Sequence, residues 1–329
     1  MSKPRISILT TGGTIAASGA DATATTIYTI DPSRNPVMDL MASLRPVADV
    51  SLEQFCHVPS HDLDLETVLA LARRIQALRE GGGTDGIVVT HGTDTLEETA
   101  FVLDLVLAPS GPVVLTGAAR PSSALSADGP LNLLNAVQVA AHPEAAGQGV
   151  LTCLNDRIGA ARFIAKTHTS APDAFRSNEQ GFLGAVNGAE LTFFARGRAR
   201  TEAPFRLDTI GVLPRVAIIY GHLGMDARMM ELAIQDGASG IVVAATGNGS
   251  MPAAIKPVLA QARDAGIVVV RASRVGSGAV SAAPVDAEYG TIPAGWLNPQ
   301  KARLLLILAL GQGGGPDRVA AHFRDIGRW

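Results

Sequence analysis

The sequence has little cysteine, few aromatic residues and no long apolar run. Its 329 residues include two cysteines and 4% aromatic side chains. Cys56 and Cys153 can form one disulfide at most, which excludes a disulfide-rich secreted scaffold. Cys153 lies in an apolar run typical of a strand, so we expect a buried, reduced thiol. No stretch is long and apolar enough to predict a membrane-spanning helix.

An excess of basic charge is also missing. The formal net charge is −3, which leaves no electrostatic footprint for nucleic acid. The densest basic cluster, residues 196–200, has glycine and threonine neighbours, which favours a solvated segment. The length and the hydrophobic content of 47% suit a globular protein of about two domains. No signal peptide precedes the first predicted strand, so we expect a cytoplasmic protein, or a periplasmic one whose leader has been removed.

The first half of the chain alternates continuous apolar runs with helical patterns. Such runs are typical of strands that are buried on both faces of a parallel sheet. Strand–helix repetition with short connections then predicts right-handed crossovers and a doubly wound, mostly parallel sheet. The predicted strands are 6–11, 86–90, 112–117 and 149–154, and the predicted helices are 65–78, 95–107 and 131–141.

The periodicity fails between residues 196 and 213, where charges and Pro204 accumulate, and this segment is interpreted as a linker. The α/β alternation then resumes on a smaller scale. The sequence therefore predicts a larger N-terminal α/β domain over 1–195 and a smaller C-terminal α/β domain over 214–329. In the second domain the predicted strands are 216–220, 240–245 and 267–271, and the predicted helices are 226–235, 252–265, 299–310 and 316–326.

Two turns rich in glycine and threonine follow predicted strands. The first contains Gly12, Gly13 and Thr14, and the second contains Thr93 and Asp94. The glycines permit a tight turn, and ligands of open parallel sheets bind at the carboxyl ends of the strands. We therefore expect Thr14 to carry a reacting hydroxyl, with the second turn as its companion. Each residue alone has a simpler interpretation, because a threonine or aspartate there usually caps a backbone donor.

A threonine hydroxyl is not a nucleophile at about pH 7 unless a base lies beside it. A desolvated lysine can be that base, and a carboxylate can orient its ammonium. Lys166 with Thr93 and Asp94 would form such a relay, similar in logic to Ser-His-Asp; a solvated surface lysine is the simpler alternative. The segment 19–35, polar and with Tyr28 as its only aromatic residue, follows the first turn and is interpreted as a lid.

Several motifs resemble those of the bacterial L-asparaginase and glutaminase-asparaginase family, and they follow the family's order over nearly the whole chain. The resemblance implies hydrolysis of L-asparagine to L-aspartate and ammonia, with lesser activity on L-glutamine and without a metal or cofactor. It also implies a homotetramer built from intimate dimers. The motifs are TGGTIA (11–16), HGTDT (91–95), SADGPLNL (126–133), KT (166–167), GNG (247–249) and LNPQKAR (297–303).

Matched motif by motif, the resemblance implies a role for each of five residues. Thr14 would attack the side-chain amide, and Tyr28 would press on it from the lid. Thr93, Lys166 and Asp94 would form a second catalytic group, and Asp94 would also bind the α-ammonium of the substrate. Water would then hydrolyse the acyl-enzyme; direct attack by water is the alternative.

The resemblance also implies substrate-binding residues, some of which depart from the family pattern. Ser60 would hold the α-carboxylate, and backbone groups near Ala118 would bind the amide or the oxyanion. His61 stands where the family has Gln or Glu; because imidazole accepts a hydrogen bond from an ammonium only while neutral, the KM is predicted to depend on pH. Ser250 replaces a frequent Asn, and Ala119 replaces a frequent Met, which enlarges the space near the amide.

The family's intersubunit glutamate should lie between residues 281 and 286. That segment is shortened around Ala283 and Pro284, and the sequence names no replacement. A non-catalytic amino-acid-binding or regulatory protein on the same scaffold is the main rival function. It predicts degenerate catalytic positions, whereas the threonines, aspartate and lysine of the relay are all present.

Two further classes of site have weaker support. A dinucleotide site would need G-x-G-x-x-G after the first strand, and that spacing is absent. A metal site could be imagined from Cys56, His57 and His61, but Pro59 interrupts any shared helical face and no second cluster supplies further ligands.

Overall fold

The structure is a computed structural model that describes residues 2–30, 36–197 and 200–327. It divides into two compact units, Met1–Leu207 and Asp208–Trp329, and this division falls inside the segment interpreted as a linker. Phe205, within that segment, is fully buried. The last part of the proposed lid, 31–35, and two residues of the basic cluster, 198–199, lie outside the described residues.

The first unit contains sixteen of the strands and helices described below. In chain order they are β1 (Arg5–Thr10), β2 (Ala17–Ser18), β3 (Thr29–Ile30), α1 (Val37–Leu44), β4 (Asp49–Gln54), α2 (Leu65–Glu80), β5 (Gly86–Thr90), α3 (Leu96–Val106), β6 (Val113–Thr116), α4 (Gly129–Ala141), β7 (Val150–Leu154), β8 (Arg157–Ala160), β9 (Ala165–Lys166), β10 (Phe175–Arg176), β11 (Gly184–Asn187) and β12 (Glu190–Phe193).

The second unit is smaller. Its elements are β13 (Val216–Tyr220), α5 (Arg228–Gln235), β14 (Gly240–Ala245), α6 (Lys256–Asp264), β15 (Val268–Ser273), α7 (Pro284–Tyr289), β16 (Ile292–Pro293), α8 (Pro299–Gly311) and α9 (Pro316–Gly327). Its four strands form one parallel sheet in the order β13-β14-β15-β16. The predicted helix 252–265 begins instead with a 3-10 turn at Ala253–Ile255, before α6.

One eight-stranded sheet organises the first unit, in the order β12-β11-β8-β7-β6-β5-β1-β4. The five strands from β7 to β4 run parallel, and β8, β11 and β12 extend the sheet antiparallel. Alternate residues of β1, such as Ile6 and Ile8, pack with α1 and α4 in one core cluster. The helices α2 and α3 pack against each other. The predicted fold class, a mostly parallel sheet domain followed by a smaller α/β domain, is confirmed.

Helix boundaries follow from local capping. The side chain of Asp64 accepts a hydrogen bond from Thr67 N at 2.7 Å and begins α2. Asn298 accepts one from Lys301 N at 3.0 Å and begins α8. These short polar side chains satisfy backbone donors that the first helical turn leaves open.

The strand order places a topological switch point between β1 and β5. The chain leaves β1 toward β4 on one side, whereas β5 is followed by β6 on the other side. Crossovers that diverge in this way open a crevice at the carboxyl ends of the two strands. The turns that contain Thr14 and Thr93 both lie there, because Thr10 pairs with Thr90 at the ends of the two strands.

In the second unit, Arg271 on β15 is almost completely buried and forms a bidentate ion pair with Asp286. Nε and Nη2 of Arg271 lie 2.7 Å from Oδ1 and Oδ2 of Asp286, and Nη1 donates to the Gly249 carbonyl at 3.1 Å. The pKa of Asp286 lies below its usual value: burial alone would raise it, but hydrogen bonds from Arg271, Thr291 and the Ala283 N–H outweigh burial. This pair fixes the loops around the carboxyl end of β15.

Within the part of the chain that the structure describes, no helix is both long enough and apolar enough to span a bilayer.

Candidate active site

Three backbone turns touch each other at the switch point. Gly13 has a φ of +83°, and a Cβ on it would lie 2.4 Å from the Cα and N of Gly92. A Cβ on Gly92 would in turn lie 2.6 Å from Oγ of Ser60. Only glycine permits approach this close. The contact brings Thr14, Thr93 and Ser60, which lie in or next to these turns, around one space.

Thr14 begins a short 3-10 helix directly after the Gly12-Gly13 turn, and its side chain is buried. Its Oγ1 lies 2.7 Å from Oη of Tyr28. Tyr28 belongs to a loop that is closed at its base by the antiparallel pairing of β2 with β3. The described part of the proposed lid therefore places a phenol against the candidate nucleophile.

The second group consists of Lys166, Thr93 and Asp94. Nζ of Lys166 donates to Thr93 Oγ1 at 2.9 Å and to Asp94 Oδ1 at 2.7 Å. The Lys166 side chain is 17% exposed and that of Asp94 is 58% exposed. The pKa of Asp94 lies below its usual value, chiefly because Lys166 donates a hydrogen bond to the carboxylate, with a smaller contribution from His61. Asp94 is thus an anion that meets both the lysine and solvent.

Ser60 and His61 form the third wall. Ser60 is buried, and its carbonyl accepts a hydrogen bond from Thr95 Oγ1 at 2.7 Å, which ties this turn to the start of α3. His61 is exposed, with Nδ1 3.6 Å from Asp94 Oδ2 and Nε2 3.9 Å from Asp62 Oδ1. A charged group that enters the main pocket meets the Asp94 carboxylate and the His61 imidazole.

These side chains line two adjoining cavities. The main pocket has a volume of ≈ 480 Å³, and the side pocket has a volume of ≈ 80 Å³. Tyr28, Thr93 and Asp94 line both, and Lys166 and Ala119 line the side pocket. The predicted site residues that line the main pocket are Thr14, Tyr28, Ser60, His61, Thr93 and Asp94.

The remaining predicted residues lie elsewhere. Ala118 is fully buried beyond β6 and lines neither pocket, although the next residue, Ala119, does. Ser250 lies on an exposed turn after β14 in the second unit. Pro284 is the first residue of α7, in the same unit.

Family models match both units of the chain. The model described as "Asparaginase, N-terminal" covers residues 5–198, and the model described as "Glutaminase/Asparaginase C-terminal domain" covers residues 215–323. The chain belongs to the asparaginase family.

Individual relatives of this asparaginase-family chain match it over nearly its full length. L-asparaginase 2 of Bacillus subtilis is 42% identical over 326 residues, which are 98% of this chain and 86% of the relative. A glutaminase-asparaginase of Pseudomonas fluorescens is 39% identical over 92% of this chain and 85% of its own. The crystal structure of a probable cytoplasmic L-asparaginase from Campylobacter jejuni has a TM-score of 0.92 and 40% identity, and covers 98% of this chain and 99% of that one.

The main pocket of this asparaginase-family chain also contains a histidine that the sequence does not place there. His57 lines the main pocket, and both its ring nitrogens are buried without a hydrogen-bond partner among the described residues. From the sequence alone, His57 is discussed only as a possible metal ligand together with Cys56 and His61. Its position depends on the path of the chain between β4 and Ser60, for which periodicity gives no signal.

Two buried side chains brace the strand-end turns. Burial lowers the pKa of His91 to about 4, so the neutral ring donates through Nδ1 to the Gly92 carbonyl at 2.7 Å. Its Nε2 lies 2.9 Å from Thr99 Oγ1 on α3. Asp128, in the SADGPLNL motif, accepts hydrogen bonds from the main-chain N–H groups of Ala119 and Arg120, each at 2.9 Å. The motif thus holds the loop that brings Ala119 to the side pocket.

Proposed function

We propose that this chain hydrolyses the side-chain amide of L-asparagine to L-aspartate and ammonia, with Thr14 as the nucleophile. One observation carries the proposal: the Thr14 hydroxyl and the Lys166–Thr93–Asp94 group meet at one pocket, each with polar partners at hydrogen-bond distance. The names of its relatives, L-asparaginase 2 and glutaminase-asparaginase, support the same reaction. The rival function, binding without catalysis, gains nothing from a complete set of reactive groups.

In the first step, Thr14 Oγ1 attacks the amide carbon and passes its proton to Tyr28 Oη, 2.7 Å away, while the Tyr28 hydroxyl passes its own proton toward the leaving amide nitrogen. The carbonyl oxygen of the substrate gains negative charge, which backbone N–H groups of the turns can stabilise. His91 donates a hydrogen bond to the Gly92 carbonyl and so fixes the peptide between Gly92 and Thr93. In a trans peptide the Thr93 N–H points away from that carbonyl, which makes it a candidate donor to the oxyanion. Collapse of the intermediate breaks the C–N bond, ammonia leaves with a proton, and an ester to Thr14 remains.

In the second step, the Lys166–Thr93 group activates water. An ammonium only donates hydrogen bonds, so Lys166 first releases one proton to solvent and can then accept one from Thr93. Thr93 then takes a proton from water, and the hydroxide attacks the ester carbon. The ester bond breaks, L-aspartate leaves, and Thr14 regains its proton.

Recognition of the amino acid rests on charge. Asp94 binds the α-ammonium, Ser60 binds the α-carboxylate, and neutral His61 accepts a hydrogen bond from the ammonium. L-Glutamine carries the same groups on one more methylene, a difference worth about 1–3 kcal/mol in a binding site. We therefore propose lesser activity on L-glutamine, a substrate class that the name of the Pseudomonas relative also supports.

We also propose an oligomeric state and a location for the chain. A homotetramer of intimate dimers would let Ser250 and the segment near Ala283 and Pro284 serve the site of another subunit. A cytoplasmic location agrees with the name of the Campylobacter relative.

The test is ammonia release from L-asparagine by the wild-type chain and by Thr14→Ala. We expect kcat to fall by at least about 10³-fold, as for loss of a nucleophile. Thr11→Ala is the matched control from the same turn, because the Thr11 hydroxyl donates to the Thr90 carbonyl at 3.0 Å instead; it should keep most of the activity. Wild-type binding of L-asparagine without turnover would favour the non-catalytic rival.

A further inference from the structure

Lys166 lies on β9, a two-residue strand of a two-stranded ribbon that is too short to be stable by itself. The ribbon, formed by β9 and β10, is separate from the eight-stranded sheet. The ammonium nevertheless has to stay within hydrogen-bond distance of Thr93 and Asp94, so something else must fix the Lys166 main chain.

A buried carboxylate meets that need. Glu97, the second residue of α3, is only 4% exposed. Its Oε2 accepts a hydrogen bond from the main-chain N–H of Lys166 at 3.1 Å. The neighbouring ribbon bond runs from Thr167 N to the Ala174 carbonyl. Because successive residues of a strand point their N–H groups to opposite sides, the Lys166 N–H faces away from β10 and toward Glu97.

This contact closes a ring through α3. The Lys166 main chain is attached to the first turn of α3 through Glu97, and its ammonium is attached to Thr93 and Asp94, just before that turn. Both ends of the lysine are thus attached to one segment of five residues, 93–97. The distance from Nζ to Thr93 Oγ1 is then set by the helix terminus rather than by the ribbon.

We propose that Glu97 is a positioning residue for the reaction: it holds Lys166 so that the ammonium stays on Thr93 and Asp94. The inference rests on the proposed function of the Lys166–Thr93 group. A purely local role, in which a carboxylate favours a helix N-terminus, would not require burial. Glu66 has that local role alone available to it, because it is the second residue of α2 and is exposed.

The experiment compares Glu97→Ala and Glu97→Gln with Glu66→Ala, at a temperature below the unfolding midpoint of each variant. Glu97→Ala removes the acceptor, and we expect kcat on L-asparagine to fall about 10- to 100-fold, the range for a misplaced catalytic group, with KM changed less than about threefold. Glu97→Gln keeps an acceptor oxygen and should retain at least about a third of the wild-type kcat. Glu66→Ala should match the wild type.

Two results would overturn the proposal: a folded Glu97→Ala protein with wild-type kcat, or equal losses in Glu97→Ala and Glu97→Gln, which would indicate a role for charge. If Glu97→Ala does not fold, Glu97→Asp decides, because it keeps the charge but withdraws the acceptor by one methylene; a wild-type kcat there also contradicts the proposal. Lys166→Met distinguishes failure of the proposed function from failure of the positioning role of Glu97. If it keeps wild-type kcat, the proposed site fails; if it is inactive while Glu97→Ala is not impaired, only the positioning role fails.

Discussion

At the scale of single residues, Tyr28 is the proposed proton partner of Thr14. Tyr28→Phe removes the hydroxyl 2.7 Å from Thr14 Oγ1 and keeps the ring. We expect kcat to fall by about 10²-fold or more, the usual contribution of a positioned proton acceptor, with a small change in KM. Steady-state ammonia release measures both constants. Tyr220→Phe, an exposed tyrosine of the second unit, is the matched control, and full activity of Tyr28→Phe would contradict the role.

The proposed role of His61 predicts a KM that depends on pH. The imidazole faces Asp94 at 3.6 Å and Asp62 at 3.9 Å. Once protonated, it competes with the α-ammonium of the substrate for Asp94. We therefore expect KM to rise about fivefold from about pH 8 to about pH 5.5, equivalent to about 1 kcal/mol between exposed charges near contact. In His61→Gln the KM should be constant over this range; flat profiles for both proteins would show that His61 is not the switch.

Single residues also show where sequence reasoning stops. Thr14 and Thr93 can be predicted because each follows an apolar strand and a glycine. His57 and Glu97 cannot, since the position of His57 in the pocket and the contact of Glu97 with Lys166 depend on segments that are distant along the chain. Glu97 in particular reads as an ordinary acidic residue of a first helical turn, and its contact with Lys166 spans 69 residues.

At the scale of elements, the turn after β1 depends on two glycines in contact. Gly13→Ala would place a methyl group 2.4 Å from Gly92 and strain a φ of +83°. We expect a loss of about 2–4 kcal/mol in the free energy of unfolding, from backbone strain and overpacking together, and a large loss of activity. Gly82→Ala, with a φ of +63° and no atom within 4 Å, isolates the strain, which costs about 1–2 kcal/mol. Urea denaturation measures both; equal losses would contradict the role of the contact.

The elements that were predicted and those that were missed differ in burial. β5, β13 and β14 have the predicted bounds, and β5 and β14 are buried along their whole length. β4 was missed because it is the edge strand of its sheet, and its sequence DVSLEQ is polar. An edge strand has solvent beside it and needs no apolar run. α1 was missed too, because only Val37 and Leu44 of its eight residues are buried.

The antiparallel extension of the first sheet has a local signal in the sequence. Asn155 and Asp156, between β7 and β8, have φ values of 48° and 61°. Asparagine and aspartate tolerate this conformation and are favoured in tight hairpin turns. Their presence after the apolar run that ends at Leu154 indicates a chain reversal rather than another crossover helix.

At the scale of the whole molecule, the buried Arg271–Asp286 pair is expected to limit stability at low pH. Asp286→Asn leaves the Arg271 charge buried without its carboxylate, which costs about 3–5 kcal/mol. Asp236→Asn is the control, because its pair with Arg215 is exposed and exposed pairs contribute about 0–1 kcal/mol. Urea unfolding at about pH 7 measures the difference; similar values for the two variants would contradict the role of burial.

The same pair fixes the sign of the pH dependence. The pKa of Asp286 is lower in the folded chain than its ordinary value, so the folded state binds this proton less readily than the unfolded state. Its stabilising contribution is therefore complete above about pH 4 and is lost as the pH falls further. Asp286→Asn should be less sensitive than the wild type to acid in this range.

The contact between Gly13 and Gly92 also has a consequence for biogenesis. Thr14, Thr93 and Lys166 enter the site from three distant parts of the chain, and the two turns meet only after β5 has docked beside β1. A nascent chain that has formed β1 and its glycine turn contains the proposed nucleophile without the Lys166–Thr93 group. The proposed mechanism therefore requires the assembled central sheet, and we expect a chain that ends before Lys166 not to hydrolyse asparagine.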